Sequence, residues 1–157
     1  MSRANVAKGV AAVFAAAALA IPVIAEFEGY VPKAYKDPVG IPTACYGSTA
    51  GIEMERTYSD AECARRLADD AATHGLEIAH CLPANLPTEV RAAFTSFAFN
   101  VGSNRFCASG VARKANAGDL RGACADLSRW VYAGGRQLSG LVRRRAAERA
   151  LCERGLA

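Results

Sequence analysis

From Gly9 to Ala25 the chain carries no charge, with Arg3 and Lys8 ahead of the stretch and Glu26 and Glu28 directly behind it. As a helix these residues reach about 25 Å, the short edge of what spans a hydrocarbon core. Basic residues in front hold the N-terminus in the cytoplasm and send the remainder of the chain across. The segment therefore reads as an export element, and the rest of the chain folds outside the cytoplasm. Its membrane affinity is weak. Eight of its residues are alanine, and Gly9 and Pro22 add nothing. Val10, Val13, Phe14, Leu19, Ile21, Val23 and Ile24 contribute roughly 0.3–0.6 kcal/mol each, a total of about 2–4 kcal/mol. Three readings stay open. A cleaved signal peptide is compatible with small-x-small sites at Ala18-Leu19-Ala20 and Val23-Ile24-Ala25. A permanent anchor fits the topology but not the weak affinity, and a releasable anchor fits both. Cleavage after Ala25 would leave only Glu26 and Phe27 ahead of Glu28. The flanking charges argue against a plain buried core helix. Residues 1–25 are thus set apart as an export or signal-anchor segment, and residues 26–157 as one domain.

Export decides how the six cysteines are read. They stand at 45, 63, 81, 107, 124 and 152, none at C-x-x-C spacing, and the two histidines, His74 and His80, lie six apart. That pattern argues against a zinc site, and neither metal nor cofactor is expected. In an oxidising compartment the cysteines read as three disulfides, with 15 pairings open. Buried free thiols of a cytosolic protein are the alternative. The net charge of +4, with Arg143-Arg144-Arg145 as the one compact basic run, is too small a field for a nucleic-acid partner. It suffices for attraction to an acidic polymer.

From Tyr30 to about Thr57, Gly, Pro, Tyr and Thr with short apolar runs predict a small antiparallel hairpin, with turns at Asp37-Pro38-Val39-Gly40 and Gly47-Ser48-Thr49. Ser59 and Glu62 then form a capping box for a helix whose apolar face is Cys63, Leu67, Ala71 and Ile78. After Pro83 and Pro87 comes the clearest helical stripe, Val90, Ala93, Phe94, Phe97 and Val101, stopped at Gly102. A short helix ends near Gly118. Asp119 caps another, with Leu120, Ala123, Cys124, Leu127 and Val131 inward and Gly134-Gly135 as its stop. A basic helix runs from about Gly140 to Cys152. The fold class is α+β, mostly helical, with a small sheet near its start.

Glycosidic bond cleavage needs an acid for the leaving oxygen and a carboxylate that activates or orients water. Glu28, at the end of a helical stretch, and Asp37, in the hairpin turn, sit on different elements and are able to face each other across a cleft. Thr43 lies across the hairpin, where its hydroxyl would help hold a water. Each also has an ordinary reading: a solvated helix-end carboxylate, an Asx turn before Pro38, a strand residue.

The order Glu28, Asp37, Thr43 at this spacing, within Phe27-Glu28-Gly29, Tyr35-Lys36-Asp37, Gly40 and Gly47, resembles the catalytic region of the phage lysozyme family. Phe99-Asn100-Val101-Gly102, Asn116-Ala117-Gly118-Asp119, Arg129-Trp130 and Gly140-Leu141-Val142-Arg143-Arg144-Arg145 resemble its later motifs in order, so the likeness runs from about residue 26 to 152. It implies a lysozyme-like fold, a hairpin lobe and a helical lobe with the active-site cleft between them. It implies a muramidase acting with inversion on the β-1,4 bond between N-acetylmuramic acid and N-acetylglucosamine. Glu28 would be the general acid, kept protonated by apolar burial, and Asp37 with Thr43 would position the water. Arg144 or Arg145 would stand beside Glu28, with Gly47 and Asn100 supporting the site. At least one arginine of the triplet would belong to a solvated face.

The resemblance also suggests the pairings Cys45–Cys63, Cys81–Cys107 and Cys124–Cys152. Many relatives carry a histidine where this chain has Ser48, which puts one support contact of the hairpin in question. The alanine-rich segment resembles signal-arrest-release endolysins, which sit in the inner membrane before acting in the periplasm. Glu28 would be pinned at the membrane surface while residues 9–25 are inserted and would swing into place on release. No cysteine lies in residues 1–25, so disulfide exchange with the anchor is not the switch. The partners implied are peptidoglycan glycan strands and, before release, the inner membrane, with the enzyme a monomer. The competing functions are a lytic transglycosylase, which yields an anhydro product, a non-catalytic membrane-tethered wall-binding module, and a secreted inhibitor or structural protein.

Overall fold

The computed structural model describes residues 3–157, with side chains from residue 6 onward, so the Arg3 side chain of the export motif lies outside the described residues. Helix α1 spans Arg3–Glu28 and passes through Pro22 and the 25/26 boundary without interruption. Pro22 is on the exposed face. Gly29, at φ +74°, then takes the left-handed conformation that ends a helix at little cost only in glycine. The chain turns into β1 (Val31–Lys36), which pairs antiparallel with β2 (Pro42–Cys45), with Tyr35 opposite Thr43 and Lys36 opposite Pro42.

Helix α2 (Asp60–Ala79) begins with the full capping box, and Cys63, Leu67, Ala71, Ala72, Gly75 and Ile78 are buried along it. Ser59→Ala is expected to lower stability by about 1 kcal/mol, read as a lower urea midpoint at unchanged slope. The Ser59 backbone and hydroxyl donors hold the Glu62 carboxyl below its ordinary value. Because that value is depressed on folding, the support is present above the unfolded carboxyl range and is lost as pH falls through the folded value.

Helix α3 (Thr88–Val101) is capped by Gly102 at φ +92°. It is buried all round from Val90 to Ala98, including Arg91, Thr95 and Ser96, so the apolar stripe is only part of a fully enclosed element. It packs against α1, α2 and α7 (Ser139–Arg154). Between them run α4 (Ser103–Cys107), α5 (Gly110–Asn116) and α6 (Leu120–Asp126), with Asp119 accepting from the Gly122 N–H as the α6 cap. Here the structure corrects the sequence reading. Helix α6 stops at Asp126 and a 3-10 turn over Leu127–Arg129 comes next. Gly134-Gly135 instead forms the turn of a second hairpin, β3 (Tyr132–Ala133) with β4 (Arg136–Gln137). Two glycines at positive φ serve a hairpin as readily as a helix stop.

Two apolar clusters result. The larger joins Ala16, Ala17, Ala20 and Ile24 of α1 to α2, α3 and the later helices, and the smaller, under the first hairpin, holds Ala34, Ala44, Cys45, Tyr58 and Cys63. One face of α1 is therefore core, although the helix is not a plain buried one. Val6, Val10, Phe14 and Leu19 on its other face are exposed. Cys45–Cys63 ties β2 to the first turn of α2, Cys81–Cys107 ties the chain after α2 to α4, and Cys124–Cys152 ties α6 to α7.

Candidate active site

Glu28 is the last residue of α1, its side chain 23% exposed. Arg144 of α7 donates from Nη1 to Glu28 Oε1 at 2.6 Å. The turn after β2 approaches from the other side: a Cβ at Gly47, whose φ is +86°, would stand 3.9 Å from Glu28 Oε2. Glu28 thus lies where two clefts meet. One, of about 490 Å³, is lined by Glu26, Phe27, Asn100, Leu138 and Arg144; the other, of about 270 Å³, by Tyr46, Gly47, Asp70, His74 and Phe99. The direct partner of the carboxylate is the guanidinium of Arg144, one of the two arginines expected beside it, and Phe27, Leu138 and Phe99 supply the apolar part of the cleft walls.

Behind Arg144 is a buried polar network. Arg144 donates from Nε to Glu148 Oε1 at 3.1 Å and from Nη2 to the Ser96 carbonyl at 3.2 Å. Ser96 Oγ donates to the same Glu148 oxygen at 2.8 Å. Arg145 donates to Glu148 Oε2, to Asn100 Oδ1 and, at 3.1 Å, to the Trp130 carbonyl, with its guanidinium over the Phe97 ring. Burial holds the Arg145 guanidinium below its ordinary value, and Glu148 offsets that only in part. Of the two arginines offered by the sequence, then, Arg144 meets Glu28, Arg145 and Asn100 lie one layer behind, and Arg143 is exposed.

Asp37 and Thr43 converge on Ile41. Asp37 Oδ1 accepts from the Val39 and Ile41 N–H groups at 3.0 and 2.8 Å, and Thr43 Oγ1 donates to the Ile41 carbonyl at 3.0 Å. Thr43 is 4% exposed. No hydrogen bond joins Glu28 to Asp37 or Thr43 among the described residues. Ser48 Oγ donates to Asp70 Oδ2 at 2.5 Å, so a hydroxyl ties the turn after the hairpin to α2. Tyr46 packs on Tyr30 at a centroid distance of 5.1 Å, and the Tyr30 hydroxyl donates to Asp60, which pushes that phenol up to about 12. His80, Cys81 and Cys107 lie together, but the disulfide takes both sulfurs out of play as thiolate ligands.

Glu148, Ser96 and Asp70 escaped the sequence reading. Glu148 had a signal: it is four residues after Arg144 and three after Arg145 on one helix, the spacing at which side chains meet.

Residues 25–148 match the family described as phage lysozyme. A protein named SAR-endolysin from Bacteriophage PS119 is 44% identical over 126 residues, 80% of this chain and 75% of that protein. The muramidase domain of SpmX from Asticaccaulis excentricus superposes with a TM-score of 0.78 at 26% identity, over 85% of this chain and 93% of its own. The active form of P1 phage endolysin Lyz does so with a TM-score of 0.76 at 26% identity, over 87% and 83% of the two chains. The secreted inactive form of that endolysin matches less well, with a TM-score of 0.53 at 25% identity over 69% and 77%.

Proposed function

The chain belongs to the phage lysozyme family and is a lysozyme of the endolysin type, and we propose that it hydrolyses the β-1,4 bond between N-acetylmuramic acid and N-acetylglucosamine of peptidoglycan with inversion. The observation that carries the site assignment is the placement of Glu28. It is held at the junction of two clefts by a buried arginine on one oxygen, with the other oxygen facing a residue that has no side chain.

In this reading Glu28 gives its proton to the glycosidic oxygen as the bond to the anomeric carbon breaks. A water attacks that carbon from the opposite face and passes its proton to Asp37. Thr43, whose hydroxyl hydrogen is directed at the Ile41 carbonyl, keeps oxygen lone pairs to accept a hydrogen from that water. Inversion requires carboxyl groups roughly 6.5–9.5 Å apart, so that the water fits between them. Arg144 fixes the Glu28 rotamer, and a glycan strand occupies the clefts on either side.

Residues 9–25 would lie in the inner membrane before release, with the domain in the periplasm. Support comes from the SAR-endolysin relatives and from Val6–Glu28, long and apolar enough to cross a membrane. The fold with α1 packed on the domain corresponds to the released enzyme, in keeping with its greater likeness to an active than to an inactive endolysin form. Cleavage after Ala25 would remove Ala16, Ala20 and Ile24 from the core, so we take α1 to be retained.

The test is digestion of purified peptidoglycan by the full-length enzyme. The expected products carry one added water and appear first as the α-anomer. Anhydro products would overturn hydrolysis in favour of transglycosylation, and absence of cleavage would favour a wall-binding module.

A further inference from the structure

Glu148 is fully buried on α7, beside Arg144 and Arg145, which are 3% and 1% exposed. Of the five buried residues of that helix only Leu151 and Cys152 are uncharged; Arg144, Arg145 and Glu148 make the rest of its inward face ionic. A buried carboxylate is unfavourable unless it is paired and hydrogen-bonded, and replacing a whole buried ion cluster with apolar residues is often neutral or stabilising. Stability alone therefore gives no reason for a glutamate here. Its geometry does. Glu148 and the Ser96 carbonyl together take the Nε and Nη2 donors of Arg144, which leaves Nη1 pointing at Glu28. The Ser96 hydroxyl and Arg145 hold Glu148 in turn. Two arginines and two glutamates sum to zero charge only with both carboxyls ionised, so while Glu28 carries the proton it is to donate, Glu148 is the one negative charge in the cluster.

We propose that Glu148 is a positioning residue for glycan cleavage: it orients and charge-balances Arg144, so that Arg144 holds Oε1 of Glu28 and Oε2 is presented to the substrate. The proposal rests on the reading of Glu28 as the acid. The other charged or titratable groups that share the two clefts with Glu28 are Arg143 of α7, Asp70 and His74 of α2, Tyr46 beside the hairpin, and Glu26 on its own helix. Without the Glu148 charge, two buried arginines share one carboxylate, which favours ionised Glu28. A general acid must enter the reaction protonated, so activity is lost at a lower pH.

The test compares the full-length wild type with Glu148→Gln and with the charge-balanced pair Arg145→Met/Glu148→Leu, on soluble peptidoglycan fragments. For each, kcat, KM, the pH profile and thermal unfolding are measured. Glu148→Gln is expected to reduce kcat roughly ten- to a hundredfold with little change in KM, and to move the alkaline limb of the profile to lower pH. The double variant keeps the net charge of the cluster unchanged but removes the Nε acceptor of Arg144. It is expected to fold, to keep the wild-type limb and still to lose kcat. It decides the matter if Glu148→Gln alone does not fold. Wild-type kcat per folded molecule in the double variant, or a wild-type limb and kcat in folded Glu148→Gln, overturns the proposal. Glu28→Gln is run beside them: activity in that variant means the acid is misassigned, whereas an inactive Glu28→Gln with fully active Glu148 variants removes only the positioning role.

Discussion

Glu28→Gln is expected to leave a folded protein whose glycan cleavage is at least roughly 10²–10⁴-fold slower, the range that one positioned general acid contributes. The fold survives because glutamine still offers an oxygen to Arg144 Nη1, and because Arg144 keeps Glu148 and the Ser96 carbonyl as acceptors. What is lost is charge-assistance on a carboxylate that remains 23% exposed, so the drop in stability is expected to be modest, about 1 kcal/mol after solvent screening. Asp37→Asn is its counterpart on the hairpin. The amide oxygen still accepts from the Val39 and Ile41 N–H groups, so the turn that places it is preserved while the carboxylate proposed to take the water's proton is removed. Cleavage is measured on soluble fragments beside circular dichroism and thermal unfolding, so that lost chemistry is separated from lost fold. Retained activity in folded Glu28→Gln would show that another group supplies the proton, and the site assignment would go with it.

The elements legible in the sequence are those whose signals are local. The Ser59–Glu62 capping box depends on four consecutive residues, and the α3 stripe on one helical period; both appear as read. The first hairpin announced itself through its turn residues. What was not legible depends on how elements are rotated against one another. Arg144 and Arg145 are adjacent, about 100° apart around α7. Which one meets Glu28 is set by the seating of α7 on α3, and no residue within α7 states that. Glu148 in a run of arginines reads as a solvated partner at helical spacing, yet the same seating encloses it completely. Gly134-Gly135 fits a helix stop and a hairpin turn equally well, and the early end of α6 decided between them.

Leucine at Ala15 to Ala18 is expected to trap the enzyme in the membrane without lytic activity, and α1 divides these positions into two pairs with different consequences. Ala15 and Ala18 are exposed in the packed helix, whereas Ala16 and Ala17 are 0% and 3% exposed in the core. Ala15→Leu/Ala18→Leu therefore acts on the membrane side of the equilibrium alone, adding roughly 1 kcal/mol to a total of about 2–4 kcal/mol for the segment. Ala16→Leu/Ala17→Leu adds the same membrane affinity and also overpacks α1 against the domain, at about 1–3 kcal/mol per site. Space there is short: a Cβ at Gly75 of α2 would already lie 3.0 Å from Val13 Cγ1 of α1. The small side chains that keep membrane affinity marginal are thus the same ones that let α1 seat closely in the domain. The buried pair is expected to give the stronger retention in membrane fractions and, once solubilised, a lower unfolding temperature. The exposed pair is expected to show retention with wild-type stability and full activity after solubilisation. Fractionation, lysis curves and thermal unfolding of the two pairs separate these outcomes. Full lytic activity from a membrane-retained variant would sever the link between release of α1 and placement of Glu28, because Glu28 is the last residue of that helix and moves with it.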